Sequence, residues 1–209
     1  MRYVKIVSLL FLVFVPTVLR AQDENVRGAI ATRTGLLIIW NEPENNFTIE
    51  IKGKTVERVP NKNLAFLIDG KFLQIVTAHN DDFLTDGQKQ QKLDEKTILL
   101  THRNWESKFL EDTVGEKLAV DSEEISLVNS KAALLWSFLV PQKDRDKVKR
   151  QVFLSTCKGS SVLVLNGAVT SDVDENAVRR FLLETVATLK IREKPLSQKE
   201  AVELASGTD

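Results

Sequence analysis

Apolar and polar positions between residues 36 and 77 follow strand periods interrupted by turn residues. Leu36 to Trp40 is an apolar run of strand length, closed by the turn-prone segment Asn41 to Asn46 with Pro43. Phe47 to Ile51 alternates, with Phe47, Ile49 and Ile51 on one face and Thr48 and Glu50 on the other, the pattern of a half-buried strand. Turns follow at Gly53–Lys54 and Pro60–Asn63. The runs Leu64 to Ile68 and Phe72 to Thr77 flank Asp69, Gly70 and Lys71, and an Asp-Gly pair between such runs predicts a hairpin. Together these predict a β-meander.

The period changes after Asp86. Lys89 to Leu110 is rich in Lys, Gln, Glu and Leu, and Ile98, His102, Trp105 and Phe109 recur at spacings of four, three and four, which puts them on one helical stripe ending before Gly115. Leu118 to Val128 returns to an irregular extended pattern. Ala132 to Val140 is nearly all apolar and predicts a buried central strand, followed by the charged connection Gln142 to Arg150. Gln151 to Lys158 and Val162 to Val169 predict two strands around Gly159, Ser160 and Ser161. From Asp174 to Leu189 the residues Val178, Phe181, Leu182, Thr185, Val186 and Leu189 share one helical face, with Arg179, Arg180 and Glu184 outward. Pro195 closes that helix. The tail Leu196 to Asp209 is polar apart from a stretch begun by Ser197 and Glu200 at capping-box spacing, too short to hold a helix alone.

The expected fold class is α+β: an antiparallel β-sheet packed by helices in an α/β/α sandwich-like arrangement, preceded by a signal peptide. Arg2 and Lys5 precede the apolar stretch Ile6 to Leu19, which ends at Ala21. At about 14 residues, and with Pro16 inside it, that stretch falls short of the roughly 20 needed to span a bilayer and has the order of an export signal cleaved after Ala21, a retained N-terminal anchor being the alternative. No membrane span is expected in the mature chain, and no nearby cysteine offers a site for lipid. The organisation predicted is a signal over 1–21, a flexible lead-in over 22–34, one α+β domain over 35–191 and a polar tail over 192–209.

Charge and cysteine use narrow the classes further. The signal holds three of the 29 bases and none of the 29 acids, so the remainder carries 26 bases against 29 acids, a net charge of about −3. Nucleic-acid binding needs a basic face to displace phosphate counterions, and neither the total nor any local run supplies one. Cys157 is the single cysteine, so no internal disulfide forms; its β-patterned setting predicts a buried small hydrophobe.

Strand, hairpin, strand and closing amphipathic helix over Ala132 to Ile191, downstream of an export signal, resemble the C-terminal half of the PsbP-like and DcrB-like extracytoplasmic proteins. The resemblance covers about a third of the chain through its apolar positions and the Phe181 to Leu189 helix face. It implies an antiparallel sheet between helices and an accessory or assembly role rather than catalysis, metal retention being known for some members. It carries no functional residue onto this chain.

The densest polar cluster is His79, Asn80, Asp81, Asp82 and Asp86, where a strand end meets a loop. It fits a solvated turn capping the next helix, or a cation site. Its three carboxylates lack the twelve-residue calcium loop, and zinc would require more ligands than His79. His102 lies four residues before Glu106 on the predicted helix and could complete a site with His79, although its stripe equally predicts a core histidine. The metal-site candidates are thus His79, Asp81, Asp82 and His102.

No Gly-x-Ser-x-Gly turn or glycine-rich phosphate loop occurs, and the roles of nucleophile, base and oxyanion donor cannot be filled. Trp40, Trp105 and Trp136 are expected as core anchors. Asn46 and Thr48 form an N-glycosylation acceptor pattern. The expected function is that of a secreted or periplasmic non-enzymatic binding or accessory protein, its protein partner or small ligand unspecified and no cofactor indicated. The alternatives are a metal-binding or metal-dependent hydrolytic protein centred on His79, Asp81, Asp82 and His102, and a carrier of an apolar ligand, motivated by strands apolar on both faces such as Ala132 to Val140.

Overall fold

The computed structural model describes residues 27–42, 45–127, 131–141 and 147–207. The segment 1–21 expected to be an export signal, the cleavage expected after Ala21, and residues 142–146 of the charged connection lie outside the described residues. The described residues form two antiparallel sheets and five helices around three main apolar clusters.

The smaller sheet has the order β1-β2-β3-β11, built from β1 (Gly28–Thr32), β2 (Gly35–Trp40), β3 (Asn46–Lys52) and β11 (Lys190–Arg192). The larger has the order β4-β5-β6-β10-β9-β8-β7, from β4 (Val56–Arg58), β5 (Ala65–Ile68), β6 (Lys71–His79), β7 (Val120–Ser126), β8 (Ala132–Leu139), β9 (Arg150–Lys158) and β10 (Ser161–Val169). The Asp-Gly hairpin forms between β5 and β6, with Asp69 at φ 48° and Gly70 at φ 75°, the left-handed pair that a two-residue turn of right-twisted strands requires.

The two faces of the larger sheet bury different partners. On one face Leu73, Ile75, Ala133, Leu135, Val152, Leu154, Leu163 and Leu165 meet the small sheet's Leu36, Ile38, Phe47, Ile49 and Ile51 together with α4 (Glu175–Ala187), which contributes Val178, Phe181, Leu182 and Val186. Asp174 caps that helix by accepting from the Ala177 N–H. On the other face Leu134, Trp136, Phe138 and Phe153 pack beneath Leu99 and Leu110 of α3 (Glu95–Val114) and Phe83 of α1 (Asn80–Phe83). A four-residue helix, α2 (Asp86–Lys89), links α1 to α3. Among the described residues no helix is long and apolar enough to cross a membrane.

Several expectations are corrected. The single sheet between helices is two sheets, because β2 is apolar on both sides: Leu36 and Ile38 enter the main core, while Leu37 and Ile39 face α5 (Gln198–Ser206). That helix supplies Ala201 and Ala205, so the tail is not a free polar end. The Asn41 side chain locks its approach by donating to the Leu196 carbonyl at 2.8 Å and accepting the Leu196 N–H at 3.1 Å. The lead-in contains β1, paired along its whole length with β2. Strand β8 is second from the sheet edge rather than central; it is buried on both faces because α3 covers the side that a neighbouring strand cannot. Helix α3 starts at Glu95, capped by Asp94, and stops at Gly115 in the left-handed conformation (φ 78°). Its buried residues are Leu99, His102 and Leu110, while Trp105 and Phe109 of the expected stripe are 38% and 39% exposed. Asn46 and Thr48 are buried in β3, so the folded chain does not present the glycosylation pattern.

Candidate functional site

The path of the chain covers one part of the large sheet less closely than the rest. After β6, near the sheet centre, α1 to α3 carry the chain across the sheet face to the edge strand β7, and α3 rests on β8 and β9. The neighbouring floor of β6 and β10 is met by α1 and by side chains from the flank of α3. A cavity of about 350 Å³ opens between that floor and the flank of α3.

Strand register determines what lines the floor. Asn166 on β10 pairs with Gln74 on β6 and with Phe153 on β9, forming a row across three strands. The next row toward α1 contains Val76 and Val164, and Ala78 lies beyond it on β6. Above them α3 contributes His102, Trp105 and Glu106, whose spacings of three and four place them on one side of the helix, and α1 contributes Asp82 at the rim. The cavity wall combines the apolar Val76, Ala78, Phe153 and Val164 with the Gln74–Asn166 row, Thr77, His102 and the two carboxylates.

Those polar groups are incompletely paired. Asn166 is 2% exposed, and neither its Nδ2 nor its Oδ1 has a hydrogen-bond partner; His102 is 1% exposed, and its Nδ1 has none either. A buried amide or imidazole without a partner costs about 1–3 kcal/mol per group, so such atoms mark a place where something else can pair with them. Burial also shifts the two titratable groups on α3. It pushes the Glu106 carboxyl up to about 7, although solvent still reaches part of the side chain, and pulls His102 down to about 4. At neutral pH His102 is a neutral imidazole, set edge-on to Phe83 with ring centroids 5.2 Å apart, and Glu106 is about half ionised.

The four metal candidates do not form one site. Asp82 and His102 share the cavity. His79 ends β6 opposite Ser161 on the other side of the sheet, where its Nε2 lies 3.6 Å from Glu42 Oε2 and its Nδ1 3.3 Å from Ser161 Oγ. Asp81 is solvent-facing and pairs with Lys89 at 3.3 Å, while Asp82 Oδ2 accepts the His79 N–H at 3.1 Å as part of the cap of α1. The alternation of side chains along a strand separates His79 from the face that α3 covers. Among the described residues no three His, Cys, Asp or Glu side chains gather as a metal site.

The surroundings of His79 were not evident in the sequence. Asn45 Nδ2 donates to Ser161 Oγ at 2.6 Å, Ser161 Oγ lies 3.3 Å from His79 Nδ1, and Lys158 Nζ donates to Asn45 Oδ1 at 3.3 Å. Arg27 pairs with Glu42 at 2.6 Å. The hydroxyl, imidazole and carboxylate form a row, in which Ser161 is 1% exposed. This network ties the 41–46 segment to the β9–β10 hairpin and works as a clasp between the sheets. Cys157 is buried, its thiol pushed up to about 12 by burial, which leaves it a small core group as expected.

Asn166 was also missed. Its signal was present in the run Val162-Leu163-Val164-Leu165-Asn166, a lone amide inside a strand otherwise apolar on both faces. Trp40 and Trp136 are core residues, whereas Trp105 stands at the cavity mouth.

No family model and no curated protein matches the sequence. Among solved structures the chain is similar to the solution structure of cyanobacterial PsbP (CyanoP) from Synechocystis sp. PCC 6803. The identity is 8% and the TM-score 0.48, over 78% of this chain and 94% of that one. At that identity and score the likeness is a distant one of outline and assigns no residue a role.

Proposed function

We propose that this is an extracytoplasmic, non-enzymatic protein that binds a small molecule with a largely apolar body in the cavity between α3 and the β6–β10 floor. The observation that carries this reading is Asn166: a buried amide with both polar atoms unpaired, set in the wall of a cavity of about 350 Å³ whose other floor residues are mostly apolar. Ligand sites combine apolar walls with a few convergent polar groups in this way. The address is supported by the sequence pattern of residues 1–21.

N-phenyl-1-naphthylamine, a neutral dye with one N–H donor, should bind with a rise in fluorescence. Ala78→Leu and Val164→Phe each place extra carbon atoms inside the cavity from a different strand. Each should weaken dye binding by about tenfold or more, equivalent to about 1.4 kcal/mol, while thermal melts show the variants folded. Unchanged dye affinity in folded variants would remove this cavity as the site.

A further inference from the structure

We propose that the ligand of this cavity carries a protonated amine on its apolar body, with the ammonium held at the rim by Glu106 and Asp82 beside the Trp105 ring. The inference rests on the binding role proposed above and specifies the chemistry of its ligand.

Three features support it. The charged lining residues are both acidic and come from separate elements, Asp82 from α1 and Glu106 from α3, with no lysine or arginine among the lining residues. The basic side chains of α3 are engaged elsewhere: Lys96 with Glu124 at 2.8 Å, Lys108 with Asp112 at 2.6 Å, and Arg103 with Ser122 at 2.8 Å and Asn104. Trp105, 38% exposed, supplies an aromatic ring at the mouth, and such a ring attracts a cation through its negative face and repels an anion. At the inner end Asn166, 2% exposed and unpaired at both amide atoms, offers neutral donor and acceptor groups to the body of the ligand.

Each element packed around the cavity contributes a defined charge. α1 supplies Asp82; α3 supplies Glu106 and His102, the latter neutral above about pH 4; the lining side chains of β6, β9 and β10 are uncharged. Burial holds the Glu106 carboxyl up at about 7, so an arriving ammonium ion favours its ionised form and releases a proton. Amine affinity is therefore highest above pH 7 and falls as Glu106 becomes protonated.

The test compares three probes with the same ring system by titration calorimetry on the purified protein: 1-naphthylmethylamine, 1-naphthalenemethanol and 1-naphthoate. At pH 8 the amine should bind about tenfold more tightly than the alcohol, the scale of a hydrogen bond to a charged group, and the acid most weakly. From pH 8 to pH 6 the amine should lose about tenfold in affinity and the alcohol little, since the ammonium stays charged over that range while Glu106 does not. Glu106→Gln should remove most of the amine's advantage over the alcohol and, with it, the loss of amine affinity between pH 8 and pH 6. If dye and alcohol bind while the amine binds no better, or the acid binds best, the amine proposal fails and the binding role stands. If neither the dye nor any of the three probes binds, the binding role itself fails.

Discussion

Asn166 is the residue at which stability and binding pull in opposite directions. Replacing its unpaired amide with an apolar side chain of the same heavy-atom count removes a desolvation cost, and the adjoining cavity has room for the extra bulk of the methyls, so Asn166→Leu should raise stability by about 1–3 kcal/mol in denaturant melts while weakening ligands that hydrogen-bond to the floor. A loss of stability would mean that the amide serves the fold rather than a ligand. His102 and Glu106 leave opposite marks on pH dependence. His102 titrates at about 6.5 when unfolded and about 4 when folded, so its contribution is complete above pH 6.5 and is lost as pH falls through 4. His102→Phe should reduce the stability lost over that interval by on the order of 3 kcal/mol, read as the difference between urea melts at pH 7 and pH 4. Glu106 is held above its unfolded value, so its contribution is complete below about 4.5 and lost as pH rises through 7. Glu106→Gln should therefore gain stability relative to the parent between pH 5 and pH 8. The burial of His102 was legible from its position on a helical stripe; its missing partner was not, because a sequence does not reveal whether a ring nitrogen meets a hydrogen-bonding group.

Helix α4 shows what the sequence could convey at the level of elements. Its apolar face at Val178, Phe181, Leu182, Thr185 and Val186 is buried as the 3.6-residue period predicts, while Arg180 stays outside. Phe181→Ala should cost about 3–5 kcal/mol in a chemical melt, and Arg180→Ala less than about 0.5 kcal/mol. Less visible is how closely the helix lies on β10: a Cβ on Gly167 would stand 2.6 Å from Val178 Cγ1. Gly167→Ala should push α4 off the strand and cost about 1–3 kcal/mol, the scale of overpacking a filled core. In α3 the stripe was legible but its outward rotation was not: Trp105 and Phe109 look like core anchors, yet they are 38% and 39% exposed. Helix α5 was underestimated for the opposite reason: nine residues with a capping box are marginal alone, and their stability comes from Leu37 and Ile39, more than 150 residues away in sequence.

At the scale of the whole molecule, the antiparallel pairing and the β5–β6 and β9–β10 hairpins were legible because they follow local period and turn chemistry. The partition into two sheets was not. It depends on β11 returning to β3 and on β10 pairing with β6 across more than 80 residues, contacts that local patterns do not encode. The cavity is a consequence of that topology: a crossover that lands α3 on β8 and β9 leaves α1 and the flank of α3 to close over β6 and β10. Its most direct test is nuclear magnetic resonance of the protein titrated with N-phenyl-1-naphthylamine, following side-chain amide and indole signals. The account predicts the largest shifts at the Asn166 and Gln74 amides and the Trp105 indole, with the clasp at Asn45 unaffected. Shifts centred on the small sheet or on Asn45, with Asn166 unmoved, would contradict it.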